Sequence, residues 1–245
     1  MGWVGRSLAL ALLAAPLAAM AQNAEVEPDF SVWAVKFGEP LAQIPDTAAA
    51  IIACGSKGGP ASIPLKSFAD WAQCTPEVSG LREVQFSYDD EKDYIARAME
   101  MEYRALAGGT SVYAHPVVVS VLVDDTGTVQ GIRITSDDRV SDHDRRTAFV
   151  LSRNLKARFV NWALACTDIP AQNGEMPVGN QFIHERCRGA NPAQPDQQVL
   201  LETSYLRKKG QRALSQETQQ VNKGYYQSRS WLEIVNKPYS PSEAP

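Results

Sequence analysis

The sequence predicts an α+β fold: a mostly antiparallel sheet or sheets with two main helices, stapled by two disulfides. Three observations support this prediction. Predicted strands follow one another along the chain, which favours antiparallel pairing. Helical periodicity is confined to two stretches, at about 89–107 and 142–159. The four cysteines fall into two local pairs.

The first predicted helix, at 89–107, opens with acidic residues, which complement the positive N-terminal end of a helix dipole. Ile95, Met99 and Leu106 recur at helical spacing and suit a buried stripe. Gly108 and Gly109 then stop the helix in the usual C-terminal manner.

The second predicted helix, at 142–159, has Ser141 as its expected N-cap and Asp144 at the third helical position. This is a capping box with Asp in place of Glu. Four apolar residues form its expected buried line: Ala148, Leu151, Leu155 and Phe159.

A β-hairpin is predicted between the two helices. Residues 116–123 form a run rich in valine, and 129–135 alternate as a return strand. The turn at 124–127 ends in Gly127, which can adopt positive φ.

The remaining predicted elements are shorter. Residues 53–64 are rich in Gly and Pro and indicate a loop, and 67–73 predict one short helical turn. Further strands are predicted at 30–37, 81–88, 161–166, 181–187, 199–206 and 225–235.

The expected domain organisation follows from these elements. Residues 30–235 form one α+β domain or two small, closely packed lobes with a boundary near 110–140. Residues 22–29 are an expected flexible N-terminus, and 236–245, with three prolines, an expected disordered tail.

The first 21 residues are typical of a secretory signal peptide. Arg6 precedes an Ala- and Leu-rich run at 8–17, and Ala19-Met20-Ala21 supplies a small-residue cleavage site. The alternative is a membrane anchor, but the run is well short of the roughly 20 residues that a bilayer requires. We expect a periplasmic or secreted protein with no transmembrane span after cleavage.

The cysteines agree with an oxidising compartment. Cys54–Cys74 and Cys166–Cys187 are the favoured pairs, because each closes a local loop worth about 3 kcal/mol in the chain-entropy model. The alternative is a metal site that uses His184 and Cys187, three residues apart.

The charge composition argues against a dedicated nucleic-acid binder, since the chain has 24 basic and 28 acidic side chains. Residues 22–100 hold 6 basic and 13 acidic residues, whereas 141–235 hold 13 basic and 9 acidic. This asymmetry indicates either solvated faces that help the parts dock or a basic surface for an anionic partner.

The common catalytic motifs are absent from the sequence: G-x-S-x-G, S-x-x-K, H-E-x-x-H and the Walker loop. Residues 55–59 have the composition of an anion-binding loop but not its spacing. The remaining candidates are Ser141 with His143, the histidines His115 and His184, and the carboxylate pairs Asp124–Asp125 and Asp137–Asp138. Each has a structural explanation as a cap, a turn or a strand residue. No catalytic residue, metal or cofactor is therefore assigned.

Aromatic and basic residues crowd the C-terminal strands, and these are the residue types of binding hot spots. The predicted partner-binding residues are Tyr205, Arg207, Tyr225, Tyr226, Arg229 and Trp231. The alternative is a sheet with one buried aromatic face and a basic edge. We expect a non-catalytic protein that binds another envelope or secreted protein. The competing hypothesis is a hydrolase of an envelope polymer.

Overall fold

The computed structural model describes Met1 and residues 31–87, 110–113, 115–138, 142–214, 220–222 and 225–245. Apart from Met1, the predicted signal peptide at 1–21, the flexible segment at 22–29 and the helix at 89–107 lie outside these residues. The same holds for Ser141 and for the side chains of 142–144.

An antiparallel sheet of eleven strands dominates the described residues. The strands, with a separate pair β11 and β12, are β1 Ile51–Cys54, β2 Pro64–Leu65, β3 Arg82–Ser87, β4 Ser111–Val112, β5 His115–Val123, β6 Val129–Ser136, β7 Ala165–Asp168, β8 Glu175–Met176, β9 Ile183–Asn191, β10 Gln194–Lys208, β11 Ala213–Leu214, β12 Val221–Asn222 and β13 Gln227–Asn236. The order is β2-β1-β3-β5-β6-β13-β10-β9-β7, with β4 beside β5 and β8 beside β10. The predicted hairpin β5–β6 therefore lies at the centre of the sheet, between β3 on one side and β13 on the other.

Helix is the smaller part of the described structure. α1 Asp142–Thr147 and α2 Leu151–Arg158 flank a 3-10 turn at Ala148–Val150. Other 3-10 turns are Val32–Ala34, Leu41–Gln43, Asp46–Ala48, Phe68–Gln73 and Val160–Trp162. The antiparallel sheet and the two disulfides confirm the predicted fold class, but the prediction of two main helices overstates the helical part.

The predicted helix at 142–159 is interrupted because the sheet binds its backbone. The Phe149 N–H donates to Ser228 Oγ at 3.3 Å, and Ser230 Oγ donates to the Ala148 carbonyl at 2.8 Å. Thr147 leaves helical geometry at φ −102°, ψ 0°. The predicted apolar line is nevertheless confirmed, since Ala148, Leu151, Leu155 and Phe159 are all buried.

Three local predictions need correction. The strand predicted at 30–37 is a 3-10 turn at Val32–Ala34, whose N-cap Ser31 accepts a hydrogen bond from the Trp33 N–H. The strand at 161–166 begins later, because Val160–Trp162 is a 3-10 turn that ends at Ala163 in the left-handed region. β1 begins before the predicted loop at 53–64 and was missed.

Both predicted disulfides are confirmed. Cys54–Cys74 ties β1 to the end of the turn at Phe68–Gln73. Cys166 and Cys187 are direct cross-strand partners on β7 and β9. The alternative metal pair of His184 with Cys187 is wrong, because that sulfur is bonded to Cys166.

One side of the sheet, the helix-side face, carries the main hydrophobic core. Strand pairing aligns one row across five strands: Val84, Val121, Ile132, Ile234 and Val199. α2 covers this face with Leu151 and Leu155, both fully buried. Each buried aliphatic side chain of this kind contributes roughly 1.5–3 kcal/mol, so the core is the main stabilising element.

The opposite side, the charged face, is centred on Arg133, which is only 1% exposed. Its guanidinium binds Glu77 through both terminal nitrogens at 2.6 and 2.9 Å, and Glu83 and Glu233 at 2.9 Å each. Ser242 Oγ accepts the remaining hydrogen bond at 3.2 Å. All five N–H donors of an arginine are thus satisfied.

Glu83 is the most constrained acid of this face. It accepts hydrogen bonds from Ser120 Oγ at 2.7 Å and from the Gly58 N–H at 3.1 Å. Burial raises the pKa of Glu83, and the neighbouring charge of Arg133 only partly offsets this rise. Glu83 therefore takes up a proton at a higher pH than an exposed glutamate does.

Two chain segments cover the charged face. Gly58, at φ +71°, passes so close to Trp231 that a Cβ there would lie 2.5 Å from the indole ring. Ser242 donates through its N–H to Glu233 at 3.0 Å and accepts the Trp231 indole N–H at 3.0 Å. The structure differs here from the predicted disordered tail at 236–245, because hydrogen bonds hold the tail on the sheet.

Candidate functional site

The candidate site is an aromatic–basic cluster at the corner where β10, β13 and α1 meet. The residues that form it are Arg145, Arg146, Phe149, Tyr205, Tyr225 and Tyr226. Tyr205 pairs with Ser228 near the end of β10, while Tyr225 and Tyr226 lead into β13. α1 and the following 3-10 turn supply the other three residues.

Three rings of the cluster contact one another in a row, in tilted and edge-to-face geometry. Phe149 and Tyr205 have centroids 4.7 Å apart, and Tyr205 meets Tyr226 edge-to-face at 5.4 Å. The Arg145 guanidinium lies 4.5 Å from the ring of Tyr225 and 5.8 Å from that of Tyr226. Such contacts contribute about 0.5–1.5 kcal/mol per ring pair and hold the side chains in one arrangement.

Burial raises the pKa of both Tyr225 and Tyr226. Both phenols therefore remain protonated at neutral pH and can donate hydrogen bonds. Their rings are half-buried, and the exposed Arg146 interacts with the Tyr226 phenol. This arrangement combines an ordered aromatic surface with an exposed positive charge.

The predicted partner-binding residues do not form one surface. Tyr205, Tyr225 and Tyr226 contact one another or Arg145 in the cluster, and Arg207 is half-buried two residues beyond Tyr205. Trp231 is 1% exposed and lies on the charged face, with the Arg133 guanidinium 4.8 Å from its ring.

Arg229 lies at the edge of the cluster, where its charge opposes the rise in the pKa of Tyr225. It donates to Asp138 at 3.0 Å and to the Pro245 carbonyl at 3.1 Å. On β13, residues 228 and 229 point to opposite faces because side chains alternate along a strand. That alternation is visible in the sequence and could have separated Arg229 and Trp231 from Tyr226, whereas Tyr225 falls in their row. Sequence reasoning missed Phe149 and Arg145, since their contacts depend on how α1 crosses the sheet.

The carboxylate pairs considered for catalysis serve turns and ion pairs. Asp124 accepts hydrogen bonds from Thr126 and Thr128 in the hairpin turn. Burial alone would raise its pKa, but hydrogen bonds from Thr126, Gln130 and Thr128 lower the pKa below its ordinary value. Asp138 is bound by Arg229.

His184 lies on the charged face between two acids. Its Nδ1 is 3.7 Å from Glu175 and its Nε2 is 3.5 Å from Glu202. Among the described residues, one group has the spacing of metal ligands, namely Cys166, Glu185 and Cys187. Both of its sulfurs are in the disulfide, so neither is a free thiolate ligand.

The glycine-rich loop at 55–59 acts as a cover of the charged face. Its Gly58 N–H is donated to Glu83, a carboxylate of the protein itself, so this group is not free for an external anion.

None of the helices in the described ranges is long and apolar enough to cross a membrane.

Comparison with known proteins returned no match to a family model, to a curated protein or to a solved structure.

Proposed function

We propose that this chain is an extracytoplasmic, non-catalytic protein, periplasmic or secreted, that binds another envelope or secreted protein through the aromatic–basic cluster. The observation that carries the proposal is the row of contacting rings at Phe149, Tyr205 and Tyr226. Tyr and Arg dominate binding hot spots because they combine large contact area with hydrogen bonding.

The order of the cluster supports a binding role. Immobilising a flexible side chain on association costs about 0.5–1.5 kcal/mol. Here Arg145 and the neighbouring rings already restrain Tyr225 and Tyr226 before any partner arrives. A partner that covers them therefore pays little ordering entropy.

The charge around the cluster indicates the chemistry of the partner. Arg146 is exposed, and its positive charge lies beside the Tyr226 phenol. A complementary protein surface would carry an apolar centre for the tyrosine rings and acidic residues at its edge.

The compartment rests on the two disulfides, which fit an oxidising environment. The sequence pattern of the first 21 residues agrees with export.

Site-specific photocrosslinking in cells tests the proposal. The photoreactive residue p-benzoylphenylalanine replaces Tyr226 in one strain and Tyr113, an aromatic that is 43% exposed, in a control strain. We expect a discrete protein adduct from position 226 and none from position 113. In purified form, Tyr226→Ala should weaken binding of the captured partner about tenfold or more, as at a hot spot.

A charge-reversal pair completes the experiment. Arg146→Glu should reduce the adduct, whereas Lys237→Glu, at a distant exposed position, should leave it unchanged. Equal adducts from positions 226 and 113, or no adduct from 226 in a processed and folded protein, would overturn the proposed interface.

A further inference from the structure

A cavity of about 710 Å³ lies between α2 and strands β9 and β10, on the helix-side face. Its apolar wall includes Phe149, Ile169, Phe182 and Ile183. A volume of this size matches sites that take small organic ligands, which are mostly apolar with a few fixed polar groups.

A buried hydroxyl without a partner lies in the wall of this cavity. Thr203 is 2% exposed, and its Oγ1 makes no hydrogen bond with any residue that the structure describes. The neighbouring Ser152 hydroxyl, in contrast, donates to the Phe149 carbonyl at 2.8 Å. Because an unsatisfied buried polar group destabilises the folded state, a ligand atom that hydrogen-bonds to this hydroxyl would remove that cost.

The charges of the cavity come from two walls. α2 contributes Arg153 and Lys156, whereas the strand side contributes Glu185 on β9 and Asp168 on β7. Lys156 and Glu185 form an ion pair with each other. Arg153 and Asp168 remain, one positive and one negative, and neither makes an ion pair with any described residue.

We propose that this cavity binds a small zwitterion with an apolar body, such as a short peptide with free amino and carboxylate ends. The carboxylate would meet Arg153 and the ammonium group Asp168. The apolar side chains would lie against Phe149 and Phe182, and a backbone amide would bond Thr203 Oγ1.

This site is independent of the proposed protein interface, although the two share Phe149. That ring lines the cavity and also stacks on Tyr205. Loss of peptide binding would not affect the crosslinking result, and loss of the crosslink would not affect peptide binding.

Isothermal titration calorimetry on the mature protein tests the proposal with the dipeptide Leu-Phe and its two capped forms. N-acetyl-Leu-Phe lacks the ammonium group, and Leu-Phe-amide lacks the carboxylate. We expect each capped form to bind about tenfold more weakly than Leu-Phe, the loss typical of one hydrogen bond to a charged group.

Two substitutions test which side chain of the protein binds each end of the peptide. Arg153→Gln should weaken Leu-Phe about tenfold but leave the affinity for Leu-Phe-amide unchanged. Asp168→Asn should weaken Leu-Phe about tenfold but leave the affinity for N-acetyl-Leu-Phe unchanged. Both side chains are exposed, so the folded structure should tolerate either change.

Two further variants distinguish cavity binding from surface binding. Ala171→Trp, at an exposed position in the cavity wall, should fill the space and abolish binding. Thr203→Val should weaken Leu-Phe without lowering Tm, because it removes an unpaired buried hydroxyl. Absence of Leu-Phe binding at millimolar concentration, equal affinity for all three peptides, or unchanged binding by Ala171→Trp would overturn the proposal.

Discussion

The two faces of the sheet are stabilised by different physics. On the helix-side face, aliphatic residues from five strands pack against α2, and their attraction is not directional. On the charged face, Arg133 holds Glu77, Glu83 and Glu233 in a layer where every donor of the guanidinium has an acceptor. One face tolerates small shifts in its contacts, whereas the other depends on each hydrogen bond.

The difference determines what covers each face. An apolar surface accepts any apolar segment of suitable shape. The charged face instead accepts segments with a donor at the right point, which are the Gly58 N–H over Glu83 and the Ser242 N–H over Glu233. The charged network therefore specifies the positions of a loop and of the C-terminal segment.

The largest expected effect comes from Arg133→Met. The substitution leaves the buried carboxylates of Glu83 and Glu233 and the partly buried one of Glu77 without their cation, and it should cost about 3–5 kcal/mol in the free energy of unfolding. Urea denaturation followed by tryptophan fluorescence measures it.

The matched change on the helix-side face is Leu155→Ala, which we expect to cost about 2–5 kcal/mol through cavity formation. A second experiment, which removes the three carboxylates together with the arginine, distinguishes the two faces. Adding Glu77→Gln, Glu83→Gln and Glu233→Gln to Arg133→Met should recover much of the loss, because no uncompensated charge then remains. A cost of Arg133→Met below about 1 kcal/mol would contradict a cooperative network of this kind.

The same contrast explains what the sequence could predict. The hairpin β5–β6 was predictable because a β-branched run, a turn and an alternating return are all local signals. The disulfides were predictable because each closes a short loop. The helix-side face follows directly from period-2 alternation in the strands.

The charged face was not predictable, because its members are far apart in the sequence and each resembles a solvent-exposed strand residue. Arg133 contacts Glu233 across 100 positions and Glu77 across 56. Trp231 was assigned to a partner surface because an aromatic beside an arginine resembles a hot spot. Its burial depends on Arg133 and Ser242, which only the folded chain brings to it.

An intermediate effect is expected from removing residues 240–245. The truncation takes away both hydrogen bonds of Ser242 to Glu233 and the acceptor of the Trp231 indole N–H. We expect a loss of about 1–3 kcal/mol in unfolding free energy, since buried polar groups then lose their partners. The indole N–H of Trp231 should also exchange faster with deuterium in NMR spectra.

The control for this truncation is Glu243→Ala. Glu243 pairs with Arg186 and Arg188 at the surface, so its removal should change stability by less than about 1 kcal/mol. If Glu243→Ala and the truncation cost the same, surface charge rather than Ser242 holds the segment.

The smallest effect is a change in the pH dependence of stability, and it distinguishes Glu83 from Asp124. Burial raises the pKa of Glu83 above its ordinary value of 4.5, so the folded state retains a proton that the unfolded chain releases. Wild-type stability should therefore decline, relative to Glu83→Gln, as pH rises from about 4.5 through the raised pKa. Unfolding free energies at several pH values from about 2 to 8 measure this slope and also cover the acidic range in which Asp124 titrates.

Asp124 should give the opposite slope, because its pKa is lowered in the folded state from 3.8. The stability that it contributes is present above pH 3.8 and is lost as pH falls through the lowered pKa, so Asp124→Asn should remove an acid-sensitive part of stability. Opposite slopes would show that ionised Glu83 destabilises the folded state because of its burial, whereas ionised Asp124 stabilises it through its hydrogen bonds. Parallel slopes for the two variants would contradict the burial of charge as the distinguishing feature of this face.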